Sequence, residues 1–194
     1  PATSPGPRTL ARHLPQHIGE RVLLQGWLHH QRHLKAVDLL LLRDRSGIAQ
    51  VVGGATDVRE LLTNCPHETV LSVTGDVVAS PQAPHGVEVH DPEVTVLRAP
   101  DDEPPIELFR PELQAQLATR LDHAAVSLRH PARATTQRLL SAAIRGFRET
   151  LAAQEFVEIS TPKLLESAPE GGANVFTVDY FGRPAFLAQS PQLY

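Results

Sequence analysis

Two short stretches late in the chain carry side chains suited to holding a small charged molecule. Glu170-Gly171-Gly172 lies in a Gly-rich loop between structured pieces, the make-up of a lid that opens and closes. A carboxylate there suits a cationic group, because a charge-assisted hydrogen bond is about twice as strong as a neutral one. Taken alone, the same triplet also fits an ordinary surface turn. Further on, Gln189-Ser190-Pro191-Gln192-Leu193-Tyr194 places an amide directly after a proline, where it either meets a ligand or caps a turn.

The bulk numbers narrow the choice of chemistry. Cys65 is the single cysteine of 194 residues, which rules out an intrachain disulfide and a cysteine-rich zinc site and fits a reducing compartment. The 10 histidines include the adjacent His29 and His30, but none has metal-type spacing, so no metal site is expected in this segment. A net charge of −4 argues against binding nucleic acid by bulk charge, while leaving local basic patches and stacked bases open. No apolar run approaches the roughly 20 residues of a membrane helix, and no secretory signal is visible, so no membrane partner is expected and the cytoplasm is the expected compartment. A chain that begins at Pro1 and holds no Met reads as one whose initiator was removed.

These residues need a scaffold, and the pattern supplies one in pieces. Residues 21–31, 37–44, 47–52, 69–79 and 86–97 are apolar or alternating runs that predict five strands. Between the third and fourth, residues 56–63 predict a helix with Val58, Leu61 and Leu62 on one face. Five strands with a helix after the third is the order of an OB-fold barrel, which either presents a face to oligonucleotides or serves as a spacer. Pro100, Pro104, Pro105 and Pro111, with Asp101, Asp102 and Glu103, then mark a linker or hinge. Thr135 or Thr136 is the expected N-cap of a helix whose Leu140, Ile144, Phe147 and Leu151 form one apolar stripe, followed by β-prone residues 156–160 and Pro162.

That last order, helix, then Phe156-Val157-Glu158-Ile159-Ser160-Thr161-Pro162-Lys163, then Glu170-Gly171-Gly172 and Gln189-Ser190-Pro191-Gln192-Leu193-Tyr194, resembles the start of the catalytic domain of class II aminoacyl-tRNA synthetases, within them the aspartyl enzymes of archaeal and eukaryotic type. The likeness extends over Tyr180-Phe181 and Ala185-Phe186-Leu187-Ala188. Leu121-Asp122-His123 through Leu128-Arg129-His130-Pro131 resembles the family's hinge, and Gly26-Trp27-Leu28-His29 with Leu42-Arg43-Asp44-Arg45-Ser46-Gly47 its anticodon-binding signature.

The resemblance implies an α+β multidomain chain: an OB-fold barrel over residues 1–103, a Pro-rich linker and hinge over 104–131, and the beginning of an antiparallel α/β catalytic domain over 132–194. It implies an aspartate–tRNA ligase that uses ATP and Mg2+ to form aspartyl-adenylate and passes the acyl group to tRNA. Glu170, Gln192, Leu193 and Tyr194 would bind L-aspartate; Trp27, His29, Arg32, Leu39, Gln50 and Glu88 would meet the anticodon. Gly146 falls where the family's first motif expects it, and Phe147, Phe156 and Pro162 would lie in a homodimer interface. No catalytic residue is assigned, because the family's two ATP-holding motifs and its catalytic arginines would follow Tyr194. Leu39 departs from the family's stacking phenylalanine. His29 and Pro84 replace a tryptophan and a lysine of relatives that accept only the aspartate tRNA, which points to an enzyme charging both tRNA(Asp) and tRNA(Asn), with an amidotransferase acting downstream. An asparaginyl enzyme and a stand-alone RNA-binding OB module are the competing expectations.

Overall fold

The computed structural model describes residues 7–34, 37–53, 56–63, 65–167 and 175–189. Apolar residues on alternate positions turn the first part of the chain into strands with one face for a core. They are β1 (Arg21–His33), β2 (Asp38–Arg43), β3 (Ile48–Gly53), β4 (Val70–Ala79) and β5 (Val87–Arg98), with helix α1 (Thr56–Thr63) after the third. The strands close into a barrel in the order β1-β2-β3-β5-β4, in which the β3 to β5 pairing is parallel and the others antiparallel. Closure leaves no strand edge free to recruit another chain.

Leu24, Leu28, Leu40, Leu42, Val51, Leu71, Val73, Val77, Val87 and Val89 fill the interior. Leu14, from the 3-10 turn Ala11–His17, and Leu62, from α1, add to the same cluster, while Leu61 stays 41% exposed. So α1 offers one of its paired leucines to the core; the side chain of Val58 lies outside the described residues. Two glycines are needed for the curvature. A Cβ on Gly26 would stand 2.4 Å from the Arg43 carbonyl oxygen, and one on Gly75 would meet Val89 Cγ1 at 2.5 Å, where β4 and β5 slip register. The β2–β3 turn is tied by Asp44, whose carboxylate accepts hydrogen bonds from the Ser46 hydroxyl and amide, Gly47 N and Ala11 N at 2.6–3.1 Å. Burial raises this carboxyl's pKa, but the hydrogen bonds outweigh it and leave the group below its ordinary range.

The Pro-rich stretch is fastened to the barrel. Ile106 and Leu108 are buried, a Glu103 carboxylate oxygen accepts from His67 N at 3.1 Å, and Phe109 stacks on His30 at 4.2 Å between ring centroids. Two short helices follow, α2 (Leu117–Asp122) and α3 (Ala124–Ser127).

The chain divides into two units, Pro1–Thr136 and Gln137–Tyr194. Helix α4 (Pro131–Ala153) starts four residues before the first expected cap: Pro131 opens it, Ala134 N bonds the His130 carbonyl, and the Thr136 hydroxyl points back to Ala132 O inside the helix. Proline at the first helical position loses no hydrogen bond, which is why the earlier start wins. The helix stops in a Schellman arrangement, with Glu155 at φ +67°, Phe156 N bonding Leu151 O and Glu155 N bonding Ala152 O. Residues 156–160 form no strand, because no described strand lies alongside to complete a ladder. An antiparallel sheet follows, ordered β6 (Leu164–Leu165), β8 (Arg183–Leu187), β7 (Thr177–Tyr180). Its hairpin turns at Phe181-Gly182, both at positive φ, and Asp179 accepts from Gly182 N at 2.8 Å. Among the described residues no helix is long and apolar enough to cross a membrane.

Candidate nucleic-acid interface

Strand register decides which side chains share the outer surface of the barrel. β1 and β2 pair Trp27 with Arg43 and Leu28 with Leu42, then slip so that His30 faces Leu41 and Arg32 faces Leu39. His29 is the extra residue of this β-bulge and has no partner in the ladder. The slip matters because Leu28 points inward; uninterrupted alternation would send His30 and Arg32 inward too. Instead β2 to β3 pairing carries Leu41 onto Gln50 and Leu39 onto Val52, and β3 to β5 pairing carries Gln50 onto Glu88. One outward row therefore reads His30, Leu41, Gln50, Glu88, and the next Arg32, Leu39, Val52.

The structure brings four of the expected base-reading residues onto this face. The Gln50 amide donates to Glu88 Oε1 at 2.7 Å, and Glu88 Oε2 lies 3.1 Å from His90 Nε2. Arg32 is exposed and Leu39 half-buried beside it, so the surface carries one cation, one carboxylate and an aliphatic patch with no aromatic ring at position 39.

Trp27 and His29 sit differently from an open reading surface. Both guanidiniums of Arg43 and Arg129 lie over the Trp27 ring, 5.7 and 5.5 Å from its centroid. Glu68 Oε2 joins them, accepting from Arg43 at 2.7 Å and from Arg129 at 2.8 Å. Arg43 and Glu68 side chains are only 8% and 6% exposed. Arg43 also donates to His29 Nδ1 at 3.0 Å, and His29 itself is 5% exposed. Burial, then the Arg43 charge, lowers the His29 pKa to about 4, so the ring is neutral at neutral pH. His29 is thus an edge held in place rather than a ring face offered for stacking.

Pro84 opens a 3-10 turn, Pro84–Gly86, in the β4–β5 loop, where Ser80 N bonds Gly86 O at 2.9 Å. The turn packs on the β2–β3 loop, since a Cβ on Gly47 would come within 2.8 Å of His85 Nε2. Among the described residues no hydrogen bond or ring contact joins Pro84 to His29.

Sequence reading assigned no role to Glu68, Arg129, His30 or Phe109. Glu68 binds two arginines from positions 25 residues before and 61 after it, a relation with no local signal. Its φ of +68° is equally invisible in sequence. His30, His67 and Phe109 form a ring stack with interplanar angles of 8–18°, and Arg110 lies over Phe109. Burial, with His67 and Arg32 nearby, lowers the His30 pKa.

In the second unit Phe147 and Phe156 are 67% and 63% exposed and, with Ile144, Leu151 and Val157, line an apolar groove; Pro162 is exposed as well. Glu170, Gln192, Leu193 and Tyr194 lie outside the described residues. Among the described residues no three His, Cys, Asp or Glu side chains could hold a metal ion together.

Two family models match the two parts in order. Residues 22–97 match the OB-fold nucleic acid binding domain, and residues 116–194 match the class II tRNA synthetases (D, K and N). Residues 116–194 thus match the start of a class II tRNA synthetase catalytic domain, preceded by a five-stranded OB-fold barrel. It is 42% identical to an aspartate–tRNA(Asp/Asn) ligase of Deinococcus radiodurans over 99% of its own length and 43% of the relative's. A protein of the same name from Thermus thermophilus is 43% identical over 96% of this chain and 43% of the relative. Among solved structures, asparaginyl-tRNA synthetase from Pyrococcus horikoshii complexed with asparaginyl-adenylate superposes with a TM-score of 0.82 at 30% identity, covering 96% of this chain and 43% of that one. The chain spans about two fifths of the length of these relatives.

Proposed function

We propose that this chain is the anticodon-reading and aspartate-binding part of an aspartate–tRNA ligase that charges both tRNA(Asp) and tRNA(Asn). The outward rows of Arg32, Leu39, Gln50 and Glu88 on a closed OB barrel carry the reading, supported by likeness along nearly the whole chain to two aspartate–tRNA(Asp/Asn) ligases. The polar groups suit base edges of a splayed loop, which is how single-stranded RNA is read. In the complete protein the aspartate α-carboxylate attacks the ATP α-phosphate and pyrophosphate leaves; a hydroxyl of the terminal tRNA ribose then takes the acyl group from the adenylate and AMP leaves. ATP and Mg2+ enter this proposal through the family alone. Glu170 is assigned to the aspartate ammonium, with Gln192, Leu193 and Tyr194 beside it.

The exposed apolar face of α4, with Phe147, Phe156 and Pro162, is assigned to a homodimer interface, since a groove so apolar asks for cover. The cytoplasm and a downstream amidotransferase complete the reading.

Amino-acid-dependent pyrophosphate exchange by the complete protein tests it: aspartate should support exchange, and asparagine should not. Exchange with asparagine would favour the second reading, an asparaginyl enzyme, which the Pyrococcus horikoshii superposition keeps in view. Exchange with neither amino acid would instead favour an RNA-binding module without catalysis, and aminoacylation that is lost on Gln192→Ala would count against that module.

A further inference from the structure

His29 is the odd residue of the β1 bulge, and its surroundings dictate its chemistry. A guanidinium nitrogen can only donate, so the 3.0 Å contact from Arg43 Nη1 makes His29 Nδ1 an acceptor. A neutral ring whose Nδ1 accepts must carry its proton on Nε2. Among the described residues Nε2 meets no hydrogen-bond partner, nor is it one of the enclosed unpaired polar atoms, which belong to Gln31, Arg120, His130 and Arg133. Arg43 cannot swing away: its other nitrogen is held by the buried Glu68 carboxylate at 2.7 Å, and the same Glu68 oxygen is held by Arg129 at 2.8 Å.

We propose that Arg43, clamped through Glu68 to Arg129, is a positioning residue for tRNA selection: it fixes His29 with Nε2–H as a donor for the 2-oxo oxygen that cytosine and uracil share at the third anticodon position. This rests on the anticodon-binding reading and deepens it. The anticodons of aspartate and asparagine tRNAs differ there as C against U, and the two bases differ at N3 and at the 4-position but not at O2. A single fixed donor aimed at O2 therefore accepts both, while a purine, which has no such oxygen, leaves the donor unpaired. Leaving a polar group unpaired costs more than a hydrogen bond contributes, so the selection is against purines. The arrangement accounts for breadth by what His29 offers, beyond the absence of a bulkier ring.

The test uses the 194-residue chain and four anticodon stem-loop RNAs that differ only at the third anticodon base, with affinity read by fluorescence anisotropy. C and U should bind within about twofold of each other and about tenfold more tightly than A or G. Arg43→Lys keeps a charge for Glu68 but cannot span His29 and Glu68 with one fork, and should shrink the pyrimidine preference toward unity. An unchanged preference in a folded Arg43→Lys chain overturns the proposal. Because Arg43 also partners the buried Glu68, nitrogen-15 NMR of the His29 ring in the unaltered chain gives a second reading that does not depend on the variant's folding: a protonated Nε2 and a bare Nδ1 are expected, and the opposite tautomer overturns the proposal on its own. A chain that binds none of the four RNAs would sink the anticodon reading along with it. Binding that does not sort by pyrimidine would sink only the role of Arg43 and His29.

Discussion

Gln50 donates to Glu88 at 2.7 Å across the parallel pairing of β3 and β5, so the seam that closes the barrel is also where an amide and a carboxylate share one outward row. Gln50 occupies one oxygen of Glu88 and His90 sits at the other. Gln50→Ala should therefore leave one Glu88 oxygen without its partner on the outward surface proposed to meet RNA. Affinity for an anticodon stem-loop is expected to fall about tenfold, while the melting temperature moves little because a half-exposed hydrogen bond contributes only about 1 kcal/mol. Anisotropy titration beside a thermal melt checks both.

Leu39 faces outward next to Arg32 without any ring to stack a base. Leu39→Phe should tighten stem-loop binding, since base–aromatic stacking contributes about 1–3 kcal/mol. The same titration measures it, and no gain would mean that the bound RNA leaves this row empty.

Glu68 joins two arginines while held at φ +68°. Glu68→Ala should destabilise the barrel unit by about 3 kcal/mol, because Arg43 is left buried without its partner. Glu68→Gly should lose about 1 kcal/mol less, since glycine is at ease at positive φ. Urea denaturation with an unchanged m-value would report the ordering, and equal losses would refute the contribution of backbone strain.

The depressed His29 pKa sets a pH dependence with a definite sign. The folded ring protonates near pH 4 and the unfolded one near 6.5, so between these values the unfolded chain binds more protons. Stability is full above about pH 6.5 and declines as pH falls toward 4, by on the order of 2 kcal/mol. His29→Gln, which does not titrate, should flatten that window in urea-denaturation series at stepped pH. An equally steep decline in the variant would assign the loss to other groups.

Replacing His29 with Trp and Pro84 with Lys tests breadth from the other side. Aspartylation of the asparagine tRNA by the complete protein should fall more than that of the aspartate tRNA; an equal fall would refute the specificity role of these positions.

Much of the barrel was legible because burial on one face writes a period of two into the sequence. All five strands fall within two residues of the expected limits at each end, as does helix α1. The start of α4 was misplaced since Thr135 and Thr136 look like caps, whereas Pro131 and His130 take that part. Residues 156–160 are β-prone but have no ladder partner among the described residues, and propensity without pairing makes no strand. On the outward face of the barrel, Arg32, Leu39, Gln50 and Glu88 came from resemblance, and register puts them on one face. The clamp of Arg43, Glu68 and Arg129 was hidden, because three ions distant in sequence meet only after the barrel has closed.

The bulge in β1 has a further consequence for how such a protein can change. Because Leu28 pairs with Leu42 and His30 with Leu41, position 29 is supernumerary in the backbone ladder, and its one tie across the strands is the side-chain hydrogen bond from Arg43. An exchange there is felt by the buried Arg43 and Glu68 rather than by the pairing of the strands, which does not pass through residue 29. Selectivity at that point is free to drift while the architecture beneath it stays put.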